Sequence, residues 1–267
     1  MDDLLVELTP LFVVFAAVLG LLIGSFLNVV AWRVPRGESI VNPPSACPNC
    51  GHRLSWWENI PVLSFLALRA KCRSCKTPIS WRYPLLEAGT SLLFVLVFLH
   101  FGPVPELPAY LYLAAIAVAL TAIDIDHKRL PDSIVLPSYI VLLVLFGVAA
   151  IVAGDPANLI RAAIGGAALF AFYFLVAFAY PAGMGFGDVK LSGVLGLALG
   201  WVGWGALVIG AFAAFLVGAA VGLVMIALKR GGRKTAIPFG PFMLLGAAIG
   251  VAWGEQLAGG YLALMGF

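Results

Sequence analysis

Charged side chains are scarce in this chain. Asp, Glu, Lys and Arg together make up 11% of its 267 residues, whereas a typical soluble domain carries about 25%. Hydrophobic residues make up 62% of the chain, and its mean hydropathy is +1.04. This shortage of charge excludes an ordinary soluble domain and predicts that lipid surrounds most of the chain.

Other absences narrow the class further. The sequence contains no internal repeat and no low-complexity tract. It has no glycine fingerprint inside a strand–helix–strand unit, which argues against a Rossmann-type nucleotide site. Its first residues, from Met1 to Glu7, are acidic where the start of a signal peptide is basic. They therefore predict a first spanning helix with its N-terminus outside, not a cleaved leader.

Apolar segments long enough to span a bilayer recur along the chain. We therefore expect an all-α polytopic membrane protein with about eight transmembrane helices. The segments cover roughly 11–32, 84–101, 107–123, 134–153, 157–180, 190–204, 206–228 and 236–253. The expected domains are a first transmembrane helix at 1–32, a cytoplasmic tetracysteine domain at 33–83 and a membrane domain at 84–267.

Basic residues predict the orientation. Eight of the 16 Lys and Arg fall between Arg33 and Arg82. Seven others lie in loops that eight spans place on the same side: Lys128, Arg129, Lys190, Lys229, Arg230, Arg233 and Lys234. Arg161 alone lies on the opposite side. The positive-inside rule then puts the basic loops in the cytoplasm. The net charge of +3 therefore reflects the placement of the basic loops and favours contact with anionic lipid headgroups. We expect no nucleic-acid partner.

All four cysteines lie in the first basic loop. They form two Cys-x-x-Cys pairs, Cys47 with Cys50 and Cys72 with Cys75, a spacing typical of a tetrahedral zinc site. A domain as small as residues 33–83 needs a metal cross-link of this kind for stability, because its hydrophobic core is small. Disulfides and free thiols are the alternatives, and a cytoplasmic location argues against stable disulfides. Four thiolate ligands leave no open coordination position, so we expect a structural metal.

Two aspartates stand where an apolar segment meets a polar loop. Asp124 directly follows an apolar run, and Asp126 and Asp132 follow it closely. Asp126 would point to another helix face, and Asp132 after Pro131 predicts a helix N-cap. Ionisable groups at membrane depth mark functional sites, and two carboxyl groups sharing a proton can activate water. The alternative is that these are ordinary interfacial acids that cap helices.

The second aspartate closes the run Gly183-Met-Gly-Phe-Gly-Asp188. Three glycines in five residues disfavour a helix and let another backbone approach closely. We therefore expect Gly185 and Gly187 to support a substrate-binding loop, with Lys190 beside Asp188. A Gly-x-Gly-Asp sequence alone is a weak motif.

Taken together, these motifs resemble the type IV prepilin leader peptidases, which are Gly-x-Gly-Asp membrane aspartyl proteases that also N-methylate their product. The resemblance covers nearly the whole chain. It is carried by the segments 24–30, 43–51, 58–64, 72–80, 82–87, 124–132, 183–190 and 237–242, together with Arg33 and Pro35.

The resemblance implies that Asp124 and Asp188 are the catalytic acids of a bacterial inner-membrane peptidase. The implied substrates are type IV prepilin or pseudopilin precursors, cut on the cytoplasmic side after a Gly and before a Phe. It further implies methylation of the new N-terminus from S-adenosylmethionine. Ala70 departs from the family, in which Gly precedes the lysine, and this departure concerns methylation rather than cleavage.

Polar residues of the cysteine domain and of the adjoining helix end are candidates for the methyl-donor site, namely Lys71, Arg82 and Glu87. For Arg82 and Glu87 the alternative is anchoring at the membrane boundary. A histidine can act as a general acid or base, but His127, beside Lys128, is more typical of a surface residue.

Three other functions remain open from sequence. A presenilin-like protease shares the glycine–aspartate motif, but proteases of that kind do not carry a tetracysteine segment after the first span. A proton-coupled transporter also uses paired acids, but its acids lie nearer the middle of its spans. A peptidase without methyltransferase activity is the third.

Overall fold

The computed structural model describes residues 2–181, 183–229 and 237–266. Within these residues the backbone forms α-helices, short 3-10 helices and isolated bridges, without a β-strand. The α-helices are α1 Asp2–Arg33, α2 Leu63–Ala67, α3 Arg82–Phe101, α4 Leu107–His127, α5 Asp132–Ala153, α6 Ala157–Ala179, α7 Phe186–Val202, α8 Trp204–Ala227 and α9 Gly240–Leu264. The predicted basic residues Arg230, Arg233 and Lys234 lie outside the described residues.

Seven of the described helices are long and apolar enough to cross a membrane, namely all except α2 and α7. The prediction of an all-α polytopic membrane protein is therefore confirmed. The segment predicted at 190–204 forms α7, which has only 17 residues, and each of its residues from Leu191 to Trp201 is buried. α7 is thus an inner helix enclosed by protein.

Residues 1–119 and 120–267 form two compact units, and the division falls within α4. This partition differs from the domains expected from the sequence, which remain a prediction. In the first unit α1 packs closely on α3. A Cβ built at Gly20 would lie 2.6 Å from Cα of Ser91, and one at Gly24 would lie 2.7 Å from Cα of Glu87. Small residues of this kind let two membrane helices approach closely.

In the second unit α7 packs on α6 through another set of small residues. A Cβ built at Gly196 would lie 2.5 Å from the carbonyl oxygen of Gly165, and one at Gly200 would lie 2.8 Å from that of Arg161. The backbones of α6 and α7 are therefore in direct contact. This contact fixes the position of α7, whose first turn carries Asp188.

Two charged side chains cap the break between α7 and α8 at Gly203. Arg161 donates hydrogen bonds to the carbonyl oxygens of Gly200 at 2.7 Å and Val202 at 3.1 Å. Glu255 accepts the backbone N–H of Ala206 at 3.0 Å. Helix termini leave such groups unpaired, and a cation at a C-terminus complements the helix dipole. Arg161, the exception to the charge pattern, is thus explained by its role as a helix cap.

Candidate active site and metal centre

Asp124 lies in the last turn of α4 and is buried, with 4% of its surface exposed, whereas Asp126 is exposed. Two residues along an α-helix differ by about 200° in direction. The helix therefore turns one acid inward and the other toward the surface. This arrangement agrees with the expectation that Asp124 is the more deeply placed of the two.

The start of α9 contacts the Asp124 carboxyl group. Gly240 donates its backbone N–H to Oδ2 of Asp124 at 3.1 Å. A Cβ built at Gly240 would lie 2.8 Å from that same oxygen, which is closer than real Cβ contacts come. Glycine therefore lets the N-terminus of α9, the positive end of a helix dipole, approach the acid without displacing its carboxyl group. The family resemblance of residues 237–242 had pointed to this segment, but it did not predict the contact between Gly240 and Asp124.

Asp188 is the third residue of α7, and its Oδ2 accepts the backbone N–H of Gly185 at 3.2 Å. The expectation of a non-helical run up to Gly187 is wrong for its last two residues, because α7 begins at Phe186. The lack of a side chain at Gly187 serves packing, since a Cβ built there would lie 3.2 Å from Cβ of Leu130. The packing contacts of α7 at Gly187 outweigh the low helix propensity of glycine.

Leu130 packs where the two acidic segments meet. This buried residue follows α4, and its Cδ2 would lie 3.2 Å from a Cβ built at Gly240. The starts of α7 and α9 therefore approach the same leucine. The charge of Asp124 acts on Asp188 across this region, so the structure brings the two predicted catalytic acids into electrostatic range.

Lys190 and Asp132 form an ion pair beside Asp188. The Lys190 Nζ lies 2.8 Å from both carboxylate oxygens of Asp132, and Tyr139 donates its hydroxyl to the carbonyl oxygen of Lys190 at 2.6 Å. The prediction that Asp132 caps α5 is wrong, because Pro131 occupies the N-cap position and Asp132 begins the helix. Its carboxylate links the first turn of α5 to the second turn of α7.

A pair of carboxyl groups in this arrangement can hydrolyse an amide. An ionised carboxylate can take a proton from water while a protonated partner donates to the carbonyl oxygen. Two nearby carboxyl groups disfavour simultaneous ionisation, which supplies one group in each state. The buried, partly enclosed setting of Asp124 strengthens such electrostatic effects.

The four cysteines converge as predicted. Their Sγ atoms all lie within 4.8 Å of one another, and the Cys47–Cys75 and Cys50–Cys72 separations are 3.8 and 4.0 Å. Tetrahedral zinc with Zn–S bonds of about 2.3 Å requires sulfur separations of about 3.8 Å. The cluster therefore fits a zinc ion held by four thiolates.

Two matching turns build the cluster. In the first, Gly51 donates its N–H to the carbonyl oxygen of Cys47 at 2.9 Å, and in the second Lys76 donates to that of Cys72 at 3.0 Å. Gly51 and Lys76 occupy equivalent positions, four residues after a cysteine, and both have positive φ, at 71° and 60°. Ala70 also has positive φ, at 57°, where glycine is the least strained residue.

Hydrogen bonds prepare one cysteine for metal binding. The Asn49 side-chain amide donates to the Thr77 hydroxyl oxygen at 2.9 Å, and the Cys75 thiol donates to the same oxygen at 3.2 Å. When Cys75 is ionised, the Thr77 hydroxyl can donate to its thiolate instead. This hydroxyl, with the Thr77 backbone N–H, lowers the pKa of Cys75 to about 5.

The pKa of Cys50 shifts in the opposite direction. The backbone at His52 favours its thiolate, but desolvation and the three neighbouring thiols outweigh this and raise the pKa of Cys50 to about 11. A cation is therefore needed to keep all four cysteines as thiolates.

The structure places the three candidate methyl-donor residues in different surroundings. Lys71 is exposed beside the second turn of the cluster. Arg82 lines a cavity of about 190 Å³ with Asn28 and Tyr83. Glu87 is buried, with 8% of its surface exposed, and accepts the backbone N–H of Val62 at 2.8 Å.

The sequence analysis missed the contact between Glu58 and His52. Glu58 is 5% exposed and accepts the Ser55 N–H at 2.9 Å and the His52 Nε2 at 3.2 Å. The Ser55 backbone, followed by His52, holds the pKa of Glu58 below its usual range. The Ser-x-x-Glu pattern of a capping box was the available signal. This carboxylate fixes the segment that follows Cys50.

Comparison with known proteins gives matches over most of the chain. The family model described as the bacterial peptidase A24 N-terminal domain matches residues 18–101, and that of the type IV leader peptidase family matches residues 111–226. No solved structure gives a significant match.

Curated relatives include a prepilin leader peptidase/N-methyltransferase of Pseudomonas aeruginosa, 38% identical over 96% of this chain and 95% of its own length. The protein of that name from Stutzerimonas stutzeri is 38% identical, with 94% of each chain covered. The Myxococcus xanthus protein of the same name is 44% identical over 85% of this chain and 67% of its own.

Proposed function

Because the chain belongs to the type IV leader peptidase family, we propose that it removes the leader of type IV prepilin-like precursors and then N-methylates the new N-terminus. The observation that carries the proposal is that the segments holding Asp124 and Asp188 pack around the same leucine, Leu130, within electrostatic range of each other. Paired acids of this kind are the machinery of an aspartyl protease.

Cleavage follows from the two carboxyl groups. The ionised one removes a proton from a water molecule, whose oxygen attacks the scissile carbonyl carbon, and the protonated one donates to the carbonyl oxygen. When the tetrahedral intermediate collapses, the C–N bond breaks and the leaving nitrogen takes up a proton. The products are the leader with a new carboxyl group and the mature chain with a free amine.

Methylation acts on that free amine. S-adenosylmethionine supplies an electrophilic methyl group, so the amine forms an N–C bond while the S–C bond breaks and S-adenosylhomocysteine leaves. The nitrogen loses one proton to solvent in the same conversion. Since the amine does not exist before hydrolysis, cleavage comes first.

The purified full chain, incubated in detergent with a prepilin-like precursor and S-adenosylmethionine, tests this function. Mass spectrometry of the products is expected to show free leader, a leader-free chain, and then the same chain heavier by one methyl group. Uncleaved precursor is expected to stay unmethylated. Failure to release the leader would contradict the proposal, and release without methylation would reduce it to a peptidase.

The tetracysteine cluster supports the proposal of a structural zinc ion bound by Cys47, Cys50, Cys72 and Cys75. When bound, zinc would neutralise the thiolates and hold the two turns together. Four ligands complete its coordination, so the peptidase chemistry is left to the aspartates. The basic residues between Arg33 and Arg82 further support a cytoplasmic location of this domain in a bacterial inner membrane.

A further inference from the structure

A cavity of about 340 Å³ lies in the first unit, between the second half of α1 and the segments 40–45 and 59–61. Its volume is in the range of small-molecule sites, about 300–1,000 Å³. The wall combines apolar residues, among them Phe26, Val29 and Pro43, with polar ones, among them Arg33 and Asn59. Apolar walls with a few placed polar groups are typical of ligand sites.

Three motifs meet at this cavity. Most of its lining residues lie in the segments 24–33, 43–45 and 59–61, and these segments overlap motifs through which the chain resembles its family. None of the three contains Asp124 or Asp188, so proteolysis does not account for them. Their convergence on one cavity indicates a second ligand.

Opposite charges lie at this cavity. Arg33 lines it and donates to the carbonyl oxygens of Ser39 at 2.9 Å and Pro43 at 2.6 Å, which fixes its guanidinium group and leaves further N–H donors. Glu87 lies directly behind the wall, where the lining residue Ser25 donates its hydroxyl to the carboxylate. An amino acid carries a carboxylate and an ammonium group, which match this cation and this anion.

An uncommon backbone conformation adjoins the cavity. Val62, next to the lining residue Pro61, has φ of 59°, which a β-branched residue rarely adopts. The Glu87 carboxylate holds this conformation by accepting the Val62 N–H at 2.8 Å. Such conformations persist where the surroundings impose them and are concentrated at functional sites.

From these observations we infer that the cavity binds the methyl donor, S-adenosylmethionine. Arg33 pairs with the donor's carboxylate, Glu87 attracts its ammonium group, and the apolar wall near Phe26 and Pro43 takes the adenine ring. The inference rests on the proposed methyltransferase function and assigns its location. None of the three residues suggested by sequence lines this cavity, but Glu87 reaches its wall through the hydrogen bond with the lining residue Ser25.

The test measures binding directly, by equilibrium dialysis of radiolabelled S-adenosylmethionine against the full-length protein in detergent. Val29→Trp fills the cavity from α1 without removing a polar group and is expected to weaken binding at least about tenfold. The matched control is Val18→Trp, the same change on an exposed position of the same helix, and it is expected to bind normally. Both variants are expected to release the leader at the wild-type rate.

A second variant covers the case in which Val29→Trp fails to fold. Glu87→Gln keeps the shape of the side chain and the acceptor for Val62, but removes the negative charge. It is expected to weaken donor binding about tenfold while cleavage continues, since one charge-assisted contact is lost.

The possible outcomes separate the inference from the proposed function. Unchanged donor affinity in both Val29→Trp and Glu87→Gln would overturn the assigned location. Loss of binding on Arg82→Gln alone would also overturn it and move the site to the smaller cavity. If the wild-type protein itself binds no S-adenosylmethionine, the methyltransferase function fails, whereas leader release by that protein would leave the peptidase function standing.

Discussion

At the scale of single residues, the candidate active site depends on which carboxyl groups the helices turn inward. Asp124 and Asp126 are equally acidic in sequence, yet only Asp124 is buried. The sequence predicted this choice because Asp124 directly follows an apolar run. It could not predict the contact with Gly240, because a separation of 116 residues is bridged only by tertiary packing.

Gly240 provides a test at this scale. Gly240→Ala would place a Cβ 2.8 Å from Oδ2 of Asp124, so the carboxyl group or the start of α9 must move. Because small displacements of a catalytic group are costly, we expect the cleavage rate to fall on the order of 100-fold, as measured with a precursor peptide in detergent.

The matched control is Gly147→Ala, since a Cβ at that helical position meets no atom within 4 Å. This variant is expected to cleave at the wild-type rate. Equal activity of the two variants would mean that the Gly240 contact does not position Asp124.

At the scale of elements, sequence reasoning predicted the cysteine cluster well and α7 only in part. The cysteine spacing was sufficient to predict the cluster, because each Cys-x-x-Cys pair forms within a short segment and the four sulfur atoms suit one metal ion. The start of α7 was misplaced because its first residues, Phe186 and Gly187, are helical only through their contacts, such as that of Gly187 with Leu130. The ion pair of Lys190 with Asp132 was missed for the same reason.

Zinc is expected at about one ion per chain in gently purified protein, since four cysteine ligands complete one tetrahedral site. Elemental analysis checks the content. Replacing the cysteines by serine, or removing zinc with a chelator, is expected to reduce methylation and the stability of the cysteine domain more than leader hydrolysis. A metal-free protein that keeps its full stability and both activities would show that the site is dispensable.

Ala70 tests the backbone that leads into the second cysteine turn. Its φ of 57° is unfavourable for a residue with a Cβ, so Ala70→Gly is expected to stabilise the domain by about 1 kcal/mol. The measurement is the denaturant midpoint for zinc release. Ala67→Gly, the same change at the end of α2, is expected to act in the opposite direction, because glycine disfavours helix. A lower midpoint for Ala70→Gly would contradict this explanation.

At the scale of the whole molecule, low charge predicted a polytopic membrane protein, and seven described helices meet the requirements of a span. The positions of the helices were predictable because lipid imposes their length and composition. The enclosure of α7 was not, since a helix surrounded by protein and a helix surrounded by lipid are equally apolar in sequence. Arg161 likewise became explicable only when the C-terminus of α7 was found beside it.

The central claim is that Asp124 and Asp188 together hydrolyse the leader bond, and the rate of leader release by single variants tests it most directly. Asp124→Asn and Asp188→Asn keep size and hydrogen-bonding capacity but remove the ionisable group. Each is expected to abolish release from a prepilin-like precursor while the protein still inserts in the membrane, because a water-activating pair requires both acids. Asp126→Asn, the matched control on the exposed side of α4, is expected to retain activity. Wild-type release by either Asp124→Asn or Asp188→Asn would contradict the account.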